Sequence, residues 1–361
     1  MRFKTAIRNI QKFSSNVNQL KLGLKLIKIL SELTASLSYL GKVAWIRLDD
    51  DAVRLTVIPE IGTQVWASLS IDSIFEDYTI QSAALNNTIN LELPLQPLNR
   101  ALKSAIHASS ASIRLTKKDG LPVLSLTIVT YMVNSGNAAN GFLNEASKDN
   151  LGDNMFEEES LDAAFSRDRE TVVTQDIPIR VLTAESVEGI HEPRVREPEA
   201  HIMLPSLLQL KAISDRFTKL ALATSGGTFK AGSSLTRGPR LELAANMHGS
   251  LKLSITTDAL NISSVWTGLT NPVLDPRQVE DGEGSLEDHP STKLRDAGPD
   301  AWSTVRIDGR DWGRVLSVGR LGGRVIACFA DEHALILYVY LSSYDESDES
   351  VLTYYISSFS V

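Results

Sequence analysis

The sequence predicts an α+β chain built by internal duplication, with two tandem halves that each carry two copies of one supersecondary unit. Three observations predict it. A short amphipathic helix followed by two strand-like runs, joined by a tight polar turn, occurs four times. The runs alternate apolar and polar residues, as strands packed on one face do. Polar stretches without a sustained period of 2 or 3.6 interrupt the pattern and read as insertions.

In the first unit the helix Leu33–Leu40 leads to Val43–Leu48, the turn Asp49-Asp50-Asp51 and Val53–Ile58. In the second, Leu98–Ala108 leads to Ser112–Thr116, the turn Lys117-Lys118-Asp119-Gly120 and Pro122–Val129. The third runs Pro205–Leu220, Arg240–Ala245, Asn246-Met247-His248-Gly249 and Ser250–Thr256. The fourth runs Asp311–Arg320, Arg324–Phe329, Ala330-Asp331-Glu332-His333 and Ala334–Leu341. Ser250-Leu251-Lys252-Leu253-Ser254-Ile255 and Arg240-Leu241-Glu242-Leu243 show the alternation most clearly. Further strands are expected at Gln64–Ser70, Thr88–Leu93, Thr171–Leu182, Leu260–Trp266 and Val351–Ser357. Two halves follow, 1–182 and 199–361, joined by a connecting loop at 183–198. Insertions fall near 14–30, 134–170, 224–238 and 271–300. The segment 14–30 reads either as an extra basic amphipathic helix or as a product of faulty gene prediction.

The 361 residues suffice for two domains with real cores, and 43% hydrophobic with 22% charged residues is the balance of a soluble globular protein. No apolar run approaches the roughly 18 residues that span a bilayer. The opening Met1-Arg2-Phe3-Lys4 lacks the apolar core of a secretory signal. Cys328 is the single cysteine, so an intrachain disulfide and a cysteine zinc site are excluded, and a buried small hydrophobe in a reducing compartment is expected. The net charge of -8 is unevenly placed. Residues 145–170 hold nine acids against three bases, and 275–300 hold eight against three, which leaves the rest of the chain at +3. The acidity sits in loops, so net charge does not veto a polyanionic partner.

The helix faces carry the functional signal. At 100° per residue, Leu98, Leu102, Ala105 and Ile106 fall on one side of the second helix, with Arg100, Lys103 and His107 opposite. In the fourth, Trp312, Val315 and Leu316 oppose Arg310, Arg314 and Ser317, with Arg320 at the edge. The third is expected to bury Leu207, Leu210, Ile213, Phe217 and Leu220, and to turn Lys211, Asp215 and Lys219 outward. The first buries Leu33, Leu37 and Leu40 against an open face of Thr34, Ala35 and Ser38. One basic helix face is ordinarily a solvated surface. Three of four in a duplicated architecture point to a shared basic surface that contacts phosphates without reading bases.

Catalytic chemistry is missing. The six histidines are scattered without metal-ligand spacing. Gly227–Ser234 lacks the lysine after its second glycine that a phosphate-binding loop needs. The Asp49–Asp51 triplet is explained as a charged hairpin turn. No enzyme, cofactor or metal is implied.

At this point the residues resemble a known family. Met1-Arg2-Phe3-Lys4, the helix Leu98–Ala105, the strand Ser112–Thr116 and the stretch Val173–Val181 are similar to the Hus-one subunit of the DNA-damage checkpoint clamp, in the sliding-clamp family. So is Ile202-Met203-Leu204-Pro205, read as opening the third helix; together with Val173–Val181 it separates this type from the proliferating-cell-nuclear-antigen type. The resemblance implies a DNA-clamp fold of two similar domains, each of two β-α-β-β-β units, with helices lining a ring interior and sheets outside. It implies a nuclear, heterotrimeric ring with Rad-nine-type and Rad-one-type subunits, placed on double-stranded DNA by a clamp loader. That ring would serve checkpoint-kinase activation and repair proteins, away from membranes. The channel role passes to Arg100, Lys103, Lys211, Arg310 and Arg314. The subunit-pairing role passes to Val172, Thr174, Ile177, Ile179 and Val181 on one strand and Leu260, Ile262 and Val265 on another. A self-assembling replication clamp is the alternative with the same fold.

Overall fold

The computed structural model describes residues 2–7, 17–60, 62–132, 169–224, 239–272, 288–341 and 350–359. Outside them lie the expected loop 134–170 apart from its last two residues, the stretch 225–238 with the Gly227–Ser234 segment, and residues 273–287 of the fourth insertion. The first half of the chain runs β1 (Arg2–Ile7), α1 (Val17–Leu40), β2 (Val43–Leu48), β3 (Ala52–Val57), β4 (Gln64–Ser70), α2 (Ile71–Ile74) and β5 (Phe75–Gln81). It continues with β6 (Ile89–Pro94), α3 (Leu95–Ala105), β7 (Ser110–Lys118), β8 (Leu121–Met132), β9 (Arg169–Pro178) and β10 (Arg180–Leu182). Then come α4 (Ala184–Val187), β11 (Ala200–Met203), α5 (Leu207–Thr224), β12 (Arg240–Ala245), β13 (Leu251–Thr257) and β14 (Leu260–Trp266). The chain closes with α6 (Pro290–Asp296), β15 (Ser303–Asp308), α7 (Gly309–Val315) continued by a 3₁₀ segment (Leu316–Leu321), β16 (Arg324–Ala330), β17 (Ala334–Tyr340) and β18 (Val351–Ser357).

The four expected hairpins are β2–β3, β7–β8, β12–β13 and β16–β17, and local chemistry closes them. Asp119 and Gly120 both take positive φ (52° and 81°), the two-residue turn that matches strand twist. Asn246 Oδ1 accepts from His248 N (3.1 Å) and Ser250 N (2.9 Å). Asp49 Oδ1 accepts from Ala52 N (2.7 Å), while its other oxygen meets Arg54 and, at 3.7 Å, Arg47. The aspartate triplet is therefore a turn, with its first carboxylate spent on the backbone and two arginines.

Three antiparallel sheets result: β5-β1-β7-β8-β9, β14-β13-β12-β15, and a nine-stranded sheet β10-β6-β2-β3-β4-β18-β17-β16-β11. The last crosses between the halves where β4 pairs with β18. One buried row runs through it in register, Leu91–Ile46–Leu55–Ala67–Leu352–Val339–Val325. A single apolar face thus spans seven strands drawn from both halves, and helices cover it.

Those helices form a row. α1 packs against α3 on one side and against α7 and its 3₁₀ continuation on the other; α5 packs on α7 and the 3₁₀ segment beyond. α1 is one helix from Val17 to Leu40, so the described part of segment 14–30 extends it instead of forming a separate helix. Between two neighbours it has little open face: Ser31, Thr34 and Ser36 are buried, contrary to the expectation for Thr34. Two of these hydroxyls are satisfied within the helix, Thr34 Oγ1 donating to Leu30 O at 2.9 Å and Ser36 Oγ to Glu32 O at 3.0 Å.

The α5–α7 contact also departs from expectation. The buried stripe of α5 is Leu207, Leu210, Ser214, Thr218 and Ala221; Ile213 and Phe217 are only partly buried and Leu220 is exposed. The stripe is small and polar because α7 comes close. A Cβ at Gly309 would lie 2.8 Å from Thr218 Oγ1, and one at Gly319 would lie 2.7 Å from Leu207 Cβ. Between them Trp312 Nε1 donates to Ser214 Oγ at 3.2 Å. Residue numbers fall along α5 as they rise along α7, so the two run antiparallel. The remaining differences are local. Ile202 and Met203 belong to β11, paired with β16, and α5 begins only at Leu207. Pro290–Asp296 is helical inside an expected loop, capped by His289 Nδ1 accepting from Ser291 N.

Two outcomes follow from this packing. Gly309→Val should lower the urea midpoint at unchanged slope, by about 1–3 kcal/mol for overpacking; a midpoint equal to wild type would mean that α5 and α7 are not held at this distance. The second concerns His201, which sits opposite Cys328 across β11–β16 with its Nδ1 3.2 Å from the thiol sulfur. Burial, aided by nearby His289, pushes its pKa down to about 4 from 6.5. The unfolded chain then takes up this proton first, so the contribution of the neutral ring is whole above pH 6.5 and is lost as pH falls toward 4. Melting temperature should drop across that window, and His201→Phe should flatten the drop; an identical slope in the variant would locate the linkage elsewhere.

Candidate nucleic-acid interface

The row α3–α1–α7–α5 presents one outward surface. On α3 the buried side is Leu95, Leu98, Ala101, Leu102 and Ala105, so Arg100, Lys103 and His107 are exposed. The short α7 is fixed at its start by Asp308, whose Oδ1 accepts from Arg310 N (2.8 Å) and Asp311 N (3.0 Å). With Trp312 and Val315 fully buried, Arg310 and Arg314 are left exposed, and Arg320 follows from the 3₁₀ segment. Ser317, expected beside these arginines, is buried and donates to Arg314 O instead. Lys219 of α5 is exposed as expected, and Arg216 of α5 and Lys28 of α1 are further exposed bases. Among the described residues, no ion pair within 4 Å involves Arg100, Lys103 or Arg314.

Lys211 differs from the other expected cations. Its Nζ donates to Asp215 Oδ2 at 3.0 Å and to Gly313 O at 3.1 Å, and its side chain is only 29% exposed. It bridges α5 to the last turn of α7. The expectation that Lys211 projects outward is corrected on that ground.

Acidic groups on this side are accounted for by neighbours. Glu32 lies 3.8 Å from Lys28. Asp311 accepts from Thr63 Oγ1 at 2.7 Å, a link between the halves, and its pKa is raised chiefly by burial.

The two expected pairing strands occupy sheet edges. Among the described residues β14 pairs only with β13, leaving Asn261, Ser263 and Val265 exposed, while Leu260 and Ile262 turn partly toward the core. Among the described residues β9 pairs only with β8, and Val172 (57% exposed), Val173 and Thr174 are exposed there. The stretch read as a single strand to Leu182 breaks after Pro178: Val181 belongs to β10, opposite Leu91 of β6, on another sheet. Ile177 is 3% exposed and Ile179 is partly buried, so their side chains serve this chain's own core. The far edge of the four-stranded sheet, β15, is closed by its own chain. Glu332 N donates to Thr304 O (2.8 Å), and Phe359 N to Arg306 O (2.8 Å).

The sheet face turned away from the helices carries the alternate residues Trp45, Thr56, Trp66, Thr353 and Tyr338. The segment after β10 crosses it above a groove of about 270 Å³ that reaches from Trp45 and Arg54 to Ile190. Glu192 of that segment accepts a hydrogen bond from Tyr355, and burial together with this carboxylate pushes the phenol up to about 12. Cys328, also buried, is pushed up to about 12 and is an unreactive thiol. Among the described residues no cluster of three or more His, Cys, Asp or Glu side chains is placed to hold a metal ion.

Comparison with known proteins agrees with this geometry. The family described as Hus1-like protein matches residues 1–360. Checkpoint protein hus1 of Schizosaccharomyces pombe is 35% identical over 360 residues, 99% of each chain. The homologue from Dictyostelium discoideum is 25% identical over 82% of this chain and 81% of its own. Checkpoint protein HUS1 of Homo sapiens is 24% identical over 65% of this chain and 67% of its own. Among solved structures, the proliferating cellular nuclear antigen of Entamoeba histolytica superposes with a TM-score of 0.57 at 11% identity, covering 99% of each chain. The α+β clamp fold that the resemblance implied is therefore the fold of this protein, and the similarity disfavours the self-assembling replication clamp. The chain belongs to the Hus1-like family of checkpoint proteins.

Proposed function

We propose that this chain is one subunit of a heterotrimeric checkpoint clamp that encircles double-stranded DNA in the nucleus, and that it acts as a platform without catalysis. In that ring the halves 1–182 and 199–361 are the two domains and 183–198 connects them. Rad-nine-type and Rad-one-type subunits complete the circle, a clamp loader opens it at damaged or recessed DNA, and repair and checkpoint proteins dock on it. The observation that carries this reading is the helical surface, on which Arg100, Lys103, Arg310 and Arg314 stand exposed on helices from both halves. Side chains fixed on a rigid helix row meet phosphates at any register, so the contact is electrostatic and indifferent to sequence.

Open strands at two sheet edges support the rest. An exposed edge with apolar residues invites pairing, and chains that stay single cover such edges or charge them. Here β15 is covered by its own chain, whereas among the described residues nothing pairs with the outer edges of β9 and β14. Heterologous strand pairing through β9 on one flank and β14 on the other builds a ring.

Reversing Lys103 and Arg314 to glutamate should leave assembly with the partner subunits intact and weaken retention on circular DNA. The salt dependence should flatten by roughly two units of the log–log slope or more. Unchanged retention and slope would remove DNA from this surface. Val172→Lys should act the other way. Coexpressed with the two partner subunits and weighed by native mass spectrometry, it should yield less trimer and more partial complexes, while its own stability stays within about 0.5 kcal/mol as for ordinary surface changes. A full yield of trimer would exclude β9 as a pairing edge.

A further inference from the structure

We infer that Lys211 and Asp215 are positioning residues that aim the arginines of α7 and do not themselves contact DNA. The inference rests on the DNA-encircling reading above and assigns the pair a role distinct from that of the exposed cations. α7 has only seven residues, too few to be stable alone, so the backbone groups of its last turn gain from partners outside the helix. Lys211 Nζ meets one of them, Gly313 O, at 3.1 Å, and reaches Asp215 Oδ1 and Oδ2 at 3.3 and 3.0 Å. The pair lies close against this turn: a Cβ at Gly313 would lie 3.3 Å from Asp215 Oδ1 and 3.6 Å from Lys211 Nζ. The carbonyl so held belongs to the peptide that continues into Arg314. At the other end Gly309 meets Thr218 and the Asp308 carboxylate caps the helix. α5 therefore grips α7 at both ends, and the direction of the arginine side chains follows from that grip.

The pair is internally neutral. A lysine whose charge is matched by Asp215 releases few counterions from a phosphate backbone, unlike Lys103. What it contributes is geometry, a hydrogen bond to a charged donor that fixes one backbone group.

The test is a double-mutant cycle on the intact heterotrimer loaded on circular DNA, with retention lifetime and its salt dependence as readouts. Lys211→Met with Asp215→Leu removes the pair without changing net charge, and Arg314→Ala removes the arginine. If the pair aims Arg314, removing it shortens retention, and Arg314→Ala then costs much less than in the wild-type ring. That departure from multiplicative effects should be roughly threefold or more, as for groups in one network. Lys211→Arg with Asp215 retained should restore most of the lifetime. Strictly multiplicative effects, or a pair variant that alters melting temperature but not retention, would overturn the inference. Lys103→Glu in the same assay separates the two levels. If it shortens retention while the cycle is multiplicative, the positioning role fails and the DNA-facing surface stands. If Lys103→Glu has no effect either, the DNA reading falls and this inference with it.

Discussion

The pairing of β4 with β18 is the constraint on which the rest of the structure depends. Those two strands belong to opposite halves of the chain, and their register, Val351 against Ser68 through Tyr355 against Gln64, makes one sheet out of two. Strand pleat then decides everything on either side of it. Because side chains alternate with period two, a shift of one residue would put Leu352 and Tyr354 on the outer face and Thr353 on the inner. In the observed register the inner row is apolar from Leu91 to Val325 without a break. Helices from both halves are consequently drawn to the same face, and their outer sides form a single surface. Without that joint, two basic patches would exist with no fixed relation.

The helix row in turn depends on close approach. α7 is short and carries two arginines that must stay outside, so it cannot be anchored by apolar residues on all sides. Trp312 and Val315 bury one side, and glycines at 309 and, in the 3₁₀ continuation, at 319 let α5 close in on the flank. The hydroxyls of Ser214 and Thr218 face that flank because larger groups would not fit. Ser214 is satisfied by Trp312 Nε1, and it also donates to Leu210 O at 2.8 Å. This is tight packing of small groups. Its strength comes from close contact more than from apolar area, since Ser214 is hydrogen-bonded but Thr218 Oγ1 is buried without a partner.

Much of this was legible in the sequence where local chemistry and periodicity agree. The hairpins were visible because Asp119-Gly120 and the Asn246–Gly249 turn sit between alternating runs, and the face of α3 was visible because Leu98, Leu102 and Ala105 repeat at helical spacing. The face of α5 was not. Hydrophobic periodicity points to Leu220, Phe217 and Ile213, whereas the buried stripe is set by a partner helix whose glycines can be recognised only once the two are side by side. For the same reason Lys211 read as an outward cation: nothing near it in sequence reveals a carbonyl 102 residues away. The division of 172–182 between two sheets was hidden because Pro178 interrupts an otherwise uniform extended run, and only pairing partners separate β9 from β10. Strands β5, β11 and β15 went unassigned as strands, the first and last flanked by helices or insertions, β11 taken for a helix entry.

The charge of the helical surface completes the argument. A chain with a formal charge of -8 presents a basic face by disposing of its acids as well as by supplying bases. Each carboxylate on or near the row has a partner within the chain: Glu32 beside Lys28, Asp215 under Lys211, Asp311 turned inward to Thr63, and Asp308 spent on the start of α7. Arg100, Lys103 and Arg314 have no such counter-charge within 4 Å among the described residues. At ordinary ionic strength charges beyond about 8–10 Å are largely screened, so the local balance decides at this surface. Pairing acids locally while leaving arginines exposed on short, clamped helices lets an acidic protein keep a face suited to a polyanion.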